Sequence, residues 1–449
     1  MPDSPFASEL SRRRFMAWTL GAGASLALGG CERSSTPPST PPGAQGTTGG
    51  KGYSGPSVTL AFWNGFTGGD GAYIRKIVED FNKATPAIQV RMNIYPWANF
   101  FQKLAGAVIS GQAPDVAVMH VDSIPTNAAR NLITPIDDIA QALGLQESNF
   151  TSPVAWKGGI YKGRRYGIPL DLHPLGMFFN KAVLEKTGLN PDKPPQTGDE
   201  YMEALEQLKG HGIQGHWMSP FHFTGTFQFQ SLLWQFGGDL FDKDVTQATF
   251  DSDAGVQAMT WMVELVKKGH SPENVAQDAD VIALQNGQNA FNWNGIWQIN
   301  ALAEVPQLRW GVAPIPKIGT QPAVWGNSHQ FVLPRQESPN PDRQAAARYF
   351  IQWMSQRSVD WLKSGKIPVL RSVAESPEFQ AMKAQVEFAK QAPYIRIPPA
   401  VAGINEALAL VDRAVNLSVL GKEPPAAALK SAAAQATQVV RYNREKYGD

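Results

Sequence analysis

The sequence has very little cysteine: Cys31 is the only one among 449 residues. A chain with a single cysteine forms no internal disulfide, so its stability has to come from a packed core. The sequence also lacks an unbroken apolar stretch of the roughly 20 residues that a membrane-spanning helix needs. It lacks an excess of charge of either sign, with 40 basic and 39 acidic side chains, which argues against nucleic acid as a partner. What remains is a globular chain whose length suggests two lobes.

The N-terminus carries two export signals. Residues 11–16, Ser-Arg-Arg-Arg-Phe-Met, resemble the twin-arginine export signal, and a short apolar region follows them. That region ends in Leu28-Gly29-Gly30-Cys31, which resembles a lipobox with the cysteine at the position that receives diacylglycerol. We therefore predict that residues 1–30 are a lipoprotein signal peptide and that Cys31 is lipidated. The alternative is an ordinary secretory signal with an accidental cysteine.

A segment rich in small and polar residues follows Cys31. From Glu32 to Pro56, 19 of 25 residues are Ser, Thr, Pro or Gly, a composition that cannot bury enough apolar surface to fold. We predict that residues 31–56 are a disordered tether. Removal of residues 1–30 would leave 37 basic and 37 acidic side chains, so anionic lipid is not expected as a main partner either.

The first part of the folded region alternates strands and helices. Apolar runs predict strands at Val58–Trp63, Ile88–Ile94 and Asp115–Met119, and helical spacing predicts helices at Asp70–Thr85 and Trp97–Ile109. This alternation is typical of a parallel sheet with helices on both faces. Ligands of such sheets bind beyond the carboxyl ends of the strands, so the residues just after positions 63, 94 and 119 are the first candidates for a site.

The rest of the chain mixes both kinds of element. Strands are predicted at Tyr166–Pro169, Met177–Asn180, Ala290–Trp293 and His329–Leu333. Helices are predicted at Asp199–Lys209, Phe227–Phe236, Ala254–Lys268, Pro341–Met354, Glu378–Ala389, Ala400–Leu420 and Pro425–Tyr447.

Several short blocks carry a resemblance to one family. They are Phe62-Trp63-Asn64-Gly65-Phe66-Thr67, Gly111-Gln112-Ala113-Pro114-Asp115-Val116, Gly167-Ile168-Pro169 with Asn180-Lys181, Asn294-Gly295-Ile296-Trp297, and Asn327-Ser328-His329. Each block alone is a weak signal. Their order and spacing together resemble the extracellular solute-binding proteins of the maltose and glycerol-phosphate type, over about residues 57–449.

The resemblance implies an α/β fold of the two-lobed periplasmic-binding-protein type (type II). The chain would cross the hinge between the lobes three times, near Leu172–Leu175, Trp325–Gln330 and Lys366–Arg371. The lobes would be residues 57–172 with 326–366, and residues 173–325 with 367–449. His173-Pro174 and Trp325-Gly326-Asn327 each interrupt a pair of strand-like runs, as hinge-crossing segments would.

Candidate ligand contacts follow the strands of the first lobe. Trp63 offers an indole face for a sugar ring, and Asn64 offers an amide that both donates and accepts. A core tryptophan beside a turn asparagine is the alternative. Asp122 would accept two hydroxyl groups or cap the next helix, and whether Asp122 or His120 contacts the ligand stays open.

The first two crossings supply further candidates. His173 stands where maltose-type binders carry a ligand-contacting carboxylate, which puts a maltose ligand in doubt. Asp171, two residues earlier, is the candidate substitute contact. Trp325, Ser328 and His329 lie at the second crossing, and we expect at least one of them to contact the ligand.

One block places two tryptophans close together. Trp297 matches the stacking tryptophan of the family, and Gly295 would let the ligand approach the backbone. Asn294 adds a two-way hydrogen bonder. Trp293 is as plausible in the core as in the site.

Ligand charge separates the two branches of the family. Arg371 and Tyr394 resemble late contacts of glycerol-phosphate-type relatives, with a surface ion pair as the alternative for Arg371. Candidate aromatic surfaces outnumber this single candidate cation, so we expect a neutral di- or oligosaccharide. Glycerol 3-phosphate or a related phosphodiester is the alternative ligand, and an exported carbohydrate-active enzyme is a more distant one.

No metal, cofactor or catalytic set is predicted. His211, His216 and His222 are close in sequence but do not share a helical face, and no cysteine or nearby carboxylate completes a tetrahedral set. The sequence has no His-Glu-x-x-His helix and no Gly-x-Ser-x-Gly elbow. We expect a binding protein rather than an enzyme.

The resemblance also implies a cellular role. We expect the substrate-binding lipoprotein of an ABC importer, which closes two lobes on a carbohydrate and delivers it to the transmembrane permease subunits. The protein would be a monomer outside the cytoplasm, held at the periplasmic face or the outer surface of a membrane by the lipid on Cys31.

Overall fold

The computed structural model describes residues 53–221 and 224–448. The predicted signal peptide, the lipidation site Cys31 and most of the tether lie outside the described residues, as does His222. Within the described residues, no helix has both the length and the apolar character needed to cross a membrane.

The strands are short and spread along the whole described chain. Numbered in chain order they are β1 Val58–Asn64, β2 Ile88–Ile94, β3 Val116–His120, β4 Ile133–Thr134, β5 Ile160–Tyr161, β6 Arg164–Arg165, β7 Ile168–Pro169, β8 His173–Asn180, β9 Phe291–Gly295, β10 Trp310–Ala313, β11 Val324–Asn327, β12 His329–Pro334 and β13 Ile395–Arg396.

Helices connect most of these strands. They are α1 Gly71–Ala84, α2 Trp97–Ile109, α3 Ile124–Ala129, α4 Asp137–Ala142, α5 Pro153–Lys157, α6 Lys181–Lys186, α7 Gly198–Gly210, α8 Gly225–Gln235, α9 Asp253–Lys267, α10 Ala279–Gln285, α11 Gln298–Ala303, α12 Pro341–Gln356, α13 Ser358–Leu362, α14 Arg371–Ala374, α15 Pro377–Gln380, α16 Lys383–Ala389, α17 Ile404–Val419 and α18 Pro425–Tyr447. Short 3₁₀ helices occur at Val121–Ser123, Glu147–Asn149 and Ala392–Tyr394.

The first sheet has six strands in the order β2-β1-β3-β12-β4, with β7 also paired to β12. β1 runs parallel to β2 and β3, which confirms the parallel arrangement predicted from the strand and helix alternation. β12 is antiparallel to β3, β4 and β7. The complete sheet is therefore mixed, because a strand from late in the chain enters it in the opposite direction.

The second sheet is mostly antiparallel. Its order is β10-β8-β11-β13, and β9 also pairs with β8. β8 is antiparallel to β9, β10 and β11, while β11 and β13 are parallel. All eight residues of β8 are buried, as expected for a strand covered on both faces.

Two segments that the sequence placed between strand-like runs, His173-Pro174 and Trp325-Gly326-Asn327, lie inside strands in the structure. β8 begins at His173 with Pro174 as its second residue, where a missing N–H is tolerated. Trp325, Gly326 and Asn327 lie inside β11. These residues therefore do not interrupt strand-like runs but belong to strands. Both segments lie where the two sheets meet, since Asn327 ends β11 and His329 begins β12 in the other sheet, and their role as hinge-crossing strands stays a prediction.

Each sheet has its own core. In the first, the rings of Phe62, Phe81 and Phe350 are in edge contact, with centroids 5.3 Å apart for Phe62 and Phe350 and 4.9 Å apart for Phe81 and Phe350. In the second, Trp293 stacks on Trp261 at 5.4 Å. Separate cores are consistent with two lobes, although the exact lobe boundaries stay a prediction.

Most of the long predicted helices are present to within a few residues. The predicted helix Glu378–Ala389 is the exception, because it is divided into α15 and α16. Asp70 precedes α1, but its side chain does not cap the helix. It accepts instead from Lys366 Nζ at 3.1 Å.

Candidate ligand-binding site

Three histidines meet where the two sheets join. The pairing of β12 with β3 places His329 opposite His120, and the pairing of β8 with β11 places His173 opposite Asn327. Since only Ser328 separates Asn327 from His329, these two registers bring the three imidazoles together. The ring centroids are 4.1 Å apart for His173 and His329, 5.2 Å for His120 and His329, and 5.6 Å for His120 and His173.

The Asp171 carboxylate holds two of these rings. It is completely buried, and its oxygens lie 2.9 Å from His173 Nδ1 and 2.8 Å from His329 Nδ1. It also accepts from Trp361 Nε1 at 2.7 Å and from the His329 backbone N–H at 3.3 Å. These protein donors occupy both oxygens. Asp171 therefore positions the histidines in this structure, and its role as a direct ligand contact stays a prediction.

The pKa shifts of Asp171 and His173 agree with that arrangement. Burial alone would raise the pKa of Asp171, but the charge of His329 and the hydrogen bonds from both imidazoles outweigh it and hold the pKa well below its usual value. Burial lowers the pKa of His173 to about 3, and the charge of His329 adds to the effect. At neutral pH His173 is therefore a neutral imidazole that donates from Nδ1 and leaves Nε2 as an acceptor.

Aromatic side chains enclose the histidines on the first-sheet side. The indole of Trp97 lies 4.3 Å from the His120 ring and stacks on His329 at 5.6 Å. Phe66 contacts His329 at 4.8 Å and Trp361 at 4.7 Å. The result is an apolar surround in which hydrogen bonds are less screened than in water.

The second sheet contributes two tryptophans. Trp297 and Trp325 each lie 6.3 Å from the His173 ring. Trp297 is half-buried, and its ring covers Gly295 so closely that an added Cβ would come within 2.0 Å of it. Trp325 is almost fully buried and stacks on Phe227 with ring centroids 3.5 Å apart.

The predicted polar contacts are engaged to different degrees. Asn64 Oδ1 accepts from the Phe66 N–H at 3.2 Å, whereas its buried Nδ2 has no partner among the described residues. Asn294 Oδ1 accepts from the Gly295 N–H at 2.8 Å. Ser328 Oγ accepts from Gln330 at 2.9 Å. Of these, Asn64 has the buried donor most in need of a further acceptor.

The Asp122 side chain does not cap a helix, and it has a hydrogen-bond partner within the protein. It lies within the 3₁₀ helix Val121–Ser123, and its Oδ2 accepts from Asn327 Nδ2 at 2.9 Å. The predicted role as N-cap is wrong, because α3 begins two residues later behind Ser123. Its half-buried carboxylate ties the end of β3 to β11, and its role as a ligand contact stays a prediction.

Trp293 belongs to the core. It is completely buried between Trp261 and Tyr201, with centroids 5.4 Å and 5.3 Å away. Successive residues of a strand face opposite sides, so Trp293 points away from the side that Asn294 faces. This packing favours the core alternative for Trp293, and its role as a ligand contact stays a prediction.

Three predicted contacts lie at the margin of the cluster or away from it. Arg371 is exposed, and its Nε donates to the Ser148 carbonyl at 3.3 Å. The role of Arg371 as the cation of the site stays a prediction. Tyr394 is half-buried, and burial raises the pKa of its hydroxyl. Trp63 is half-buried, with its ring in edge contact with Tyr95 at 4.9 Å. Tyr394 and Trp63 stay predictions.

Sequence reasoning missed two residues of the cluster. Trp97 follows β2, one of the three strand ends singled out as candidate positions, so its place was indicated but its side chain was not chosen. An added Cβ on Gly65 would come within 2.2 Å of the Trp97 ring, so the glycine after β1 permits this close approach. Nothing in the sequence pointed to Trp361, because it lies in α13, 190 residues after the Asp171 carboxylate that it contacts.

Comparison with known proteins identifies the kind of chain that carries this site. Residues 76–387 match the family model for bacterial extracellular solute-binding proteins. A putative binding protein of Brucella abortus is 22% identical over 401 residues, covering 86% of this chain and 93% of its own. The sn-glycerol-3-phosphate-binding periplasmic protein UgpB of Escherichia coli is 21% identical over 414 residues, with the same coverage of 86% and 93%.

Solved structures agree with the fold. The GacH receptor of Streptomyces glaucescens, solved unliganded and with acarbose, superposes with a TM-score of 0.76 at 22% identity, covering 86% of this chain and 99% of its own. The sugar-binding protein MalE of Xanthomonas citri superposes with a TM-score of 0.74 at 20% identity, covering 87% and 100%. The predicted two-lobed α/β fold is thereby confirmed.

Proposed function

The chain belongs to the family of bacterial extracellular solute-binding proteins, and from that premise we propose that it captures a neutral di- or oligosaccharide for an ABC importer. The sugar binds between two lobes, and the closed form is delivered to the transmembrane permease subunits. Closure is a population shift, since a ligand contributes contacts to both lobes only when they meet.

The observation that carries the proposal is the set of aromatic faces around the three histidines. Trp97 packs against His120 and His329, and Trp297 lies 6.3 Å from His173. Sugars present ring C–H groups that pack on indole faces and hydroxyl groups that accept and donate hydrogen bonds. Half-buried indoles beside neutral hydrogen-bonding groups suit that chemistry.

The positively charged side chains Arg371 and Lys366 favour a neutral ligand over a phosphate ester, because both have partners within the protein. A phosphate needs fixed donors, preferably a bidentate arginine. Arg371 donates to the Ser148 carbonyl at the surface, and the buried Lys366 is paired with Asp70 at 3.1 Å. These two cations are therefore engaged elsewhere. Glycerol 3-phosphate remains the alternative because the UgpB relatives are named for it.

The two sheets suggest how the lobes divide. We assign residues 57–172 with 326–366 to one lobe and residues 173–325 with 367–449 to the other. The site then lies at the crossings, with His120 and His329 on the first sheet and His173 on the second.

Calorimetry tests the assignment. Mono-, di- and oligosaccharides and glycerol 3-phosphate are titrated separately, each at low and high ionic strength and with a chelator present. We expect heat from a neutral sugar, with an affinity that hardly changes with salt because no ion pair is screened. Tight, salt-sensitive binding of the phosphate ester with no heat from any neutral sugar would overturn the proposal.

The same samples separate a binding protein from an enzyme. The proposal requires a bound sugar to be recovered unchanged in a one-to-one ratio with the protein. Release of shorter products over hours would assign the cleft to a carbohydrate-active enzyme instead.

The N-terminal signals complete the proposal. The protein acts outside the cytoplasm as a monomer, tethered by a lipid on Cys31 to the periplasmic face or the outer surface of the membrane. The lipobox and the tether composition support this location.

A further inference from the structure

The three histidines of the site have the composition of a metal centre. His120, His173 and His329 each offer a ring nitrogen, and these nitrogens all lie within 4.8 Å of one another. His173 and His329 are buried, and His120 is half-buried at the end of β3. The residues lie far apart in the sequence, and only the pairing of β12 with β3 and of β8 with β11 brings them together.

Asp171 supplies the supporting contacts that ligating histidines normally have. It accepts from Nδ1 of His173 at 2.9 Å and from Nδ1 of His329 at 2.8 Å. A histidine that donates from Nδ1 to a carboxylate presents the lone pair of Nε2, and this arrangement fixes ring orientation in metal sites. The two rings are stacked with 28° between their planes, so one of them has to turn before both Nε2 lone pairs can meet at a single ion.

We propose that His120, His173 and His329 bind a divalent transition-metal ion, with Asp171 as the carboxylate that orients two of the three ligands. Imidazole ligands suit Zn²⁺, Cu²⁺ and Ni²⁺ rather than Mg²⁺ or Ca²⁺, which prefer oxygen. Three protein ligands leave the fourth position of a tetrahedral ion open to a ligand oxygen or water.

The ring nitrogens are close but not yet at coordination distance. Zn–N bonds of about 2.0–2.1 Å place tetrahedral ligand nitrogens roughly 3.3 Å apart. The three histidines offer nitrogens within 4.8 Å of one another, so binding an ion requires the imidazoles to move closer together and to turn toward it. His120 is half-buried at the end of β3, with its ring centroid 5.2 Å from that of His329 and 5.6 Å from that of His173.

This site is distinct from the histidines that are close in sequence. His211 is exposed, and His216 Nδ1 lies 2.6 Å from the Tyr201 hydroxyl in a different part of the second sheet. The inference also goes beyond sugar capture, because a metal site at these residues stands or falls independently of which sugar is bound.

Metal titration of the full chain tests the proposal. The protein is stripped with a chelator, dialysed, and titrated with ZnCl₂ in a calorimeter, with MgCl₂ as the parallel probe. We expect one Zn²⁺ per chain and no heat from Mg²⁺. The variant His120→Ala should lose Zn²⁺ affinity by about 100-fold or more, because removing a residue that only hydrogen-bonds a metal ligand already costs about 10- to 100-fold. His211→Ala is the matched control and is expected to bind Zn²⁺ as the wild type does.

Co²⁺ gives a second readout, because its visible absorption reports on a tetrahedral set containing imidazole nitrogen. The wild type and His211→Ala are expected to give the same spectrum, and His120→Ala a weaker one. Circular dichroism establishes that each variant is folded. Absence of Zn²⁺ binding by the folded wild type, or equal binding by His120→Ala, would overturn the site. Sugar titrations in chelator test the proposed function separately.

Discussion

Lys366 and Asp70 form an ion pair in the interior of the protein, with Nζ and Oδ2 3.1 Å apart and the lysine side chain 1% exposed. Lys366 lies in the predicted third crossing, and Asp70 precedes α1 of the first sheet. Both charged groups of such a pair are removed from water, so each is stabilised mainly by the other. The pair therefore joins the residue before α1 to a segment more than 290 residues later.

Lys366→Met is expected to lower the free energy of unfolding by about 3–5 kcal/mol, because it leaves the Asp70 carboxylate buried without its partner. Asp70→Asn combined with Lys366→Met should recover most of the loss. Chemical denaturation measures all three proteins. Lys76→Met, which breaks the exposed pair with Asp80, is the control and should leave stability unchanged. Equal stability of Lys366→Met and the wild type would contradict the prediction.

Gly295→Ala is expected to weaken ligand binding without removing any aromatic group. Its Cβ would come within 2.0 Å of the Trp297 ring, so the indole has to leave its present position. Gly106→Ala in α2 is the control, because nothing lies within 4 Å of the Cβ it adds. Calorimetry with the sugar identified above measures the affinity of each. The prediction fails if both variants bind alike.

Trp297→Ala and Trp293→Ala should separate binding from stability. The half-buried Trp297 is a candidate stacking surface, and its loss is expected to weaken binding by about 2 kcal/mol or more while the protein stays folded. Trp293 is completely buried, so Trp293→Ala should cost about 3–5 kcal/mol of folding stability. Thermal unfolding and calorimetry are measured on both. A Trp297→Ala protein that unfolds, or that binds normally, would assign Trp297 to the core.

Asp280 should make stability depend on pH. Burial raises its pKa to about 6 and outweighs the hydrogen bond from Asn292, which lowers it. The native state therefore holds a proton more tightly than the unfolded chain, and stability falls as pH rises from about 4 to about 6. Asp280→Asn removes this dependence and should be more stable at pH 7 by on the order of 3 kcal/mol. Denaturation at pH 4 and at pH 7 tests it: the difference from wild type should be present only at pH 7.

Cys31→Ser is expected to abolish lipidation and to leave the folded region intact. The lipobox Leu28-Gly29-Gly30-Cys31 places the only thiol of the chain at the modified position. Mass spectrometry of the N-terminus from membrane fractions should find diacylglycerol on the wild type and an uncleaved precursor for the variant. A wild-type N-terminus without lipid would refute the anchor.

The early part of the fold was predictable because its signals are local. β1, β2, α1 and α2 follow from apolar runs and helical spacing within one or two residues. The resemblance assigned residues 326–366 to the first lobe, but the antiparallel pairing of β12 with β3, which joins His329 to His120, has no signature in either segment alone. Pro174 was misread as a break for a similar reason, since a proline at the start of a strand resembles one between strands.

The sequence indicated where the candidate site lies better than it indicated what each side chain in the site does. His173, His329 and Trp297 do lie near one another, as the block order suggested. What each side chain does depends on partners that sequence cannot supply. Asp171 is held by four protein donors, and the faces of β9 direct Trp293 into the core rather than toward the cluster.

The position of β12 also affects how the protein folds as it is synthesised. β3 and β4 flank β12 in the first sheet, yet β12 ends at Pro334 and β4 ends at Thr134. The first sheet therefore remains incomplete until the ribosome has passed Pro334, and closing so long a loop slows its formation. A fragment that stops before His329 exposes the unpaired edge of β3, which is an aggregation hazard. The first sheet therefore needs strands from both halves of the chain, and the first half alone cannot complete it.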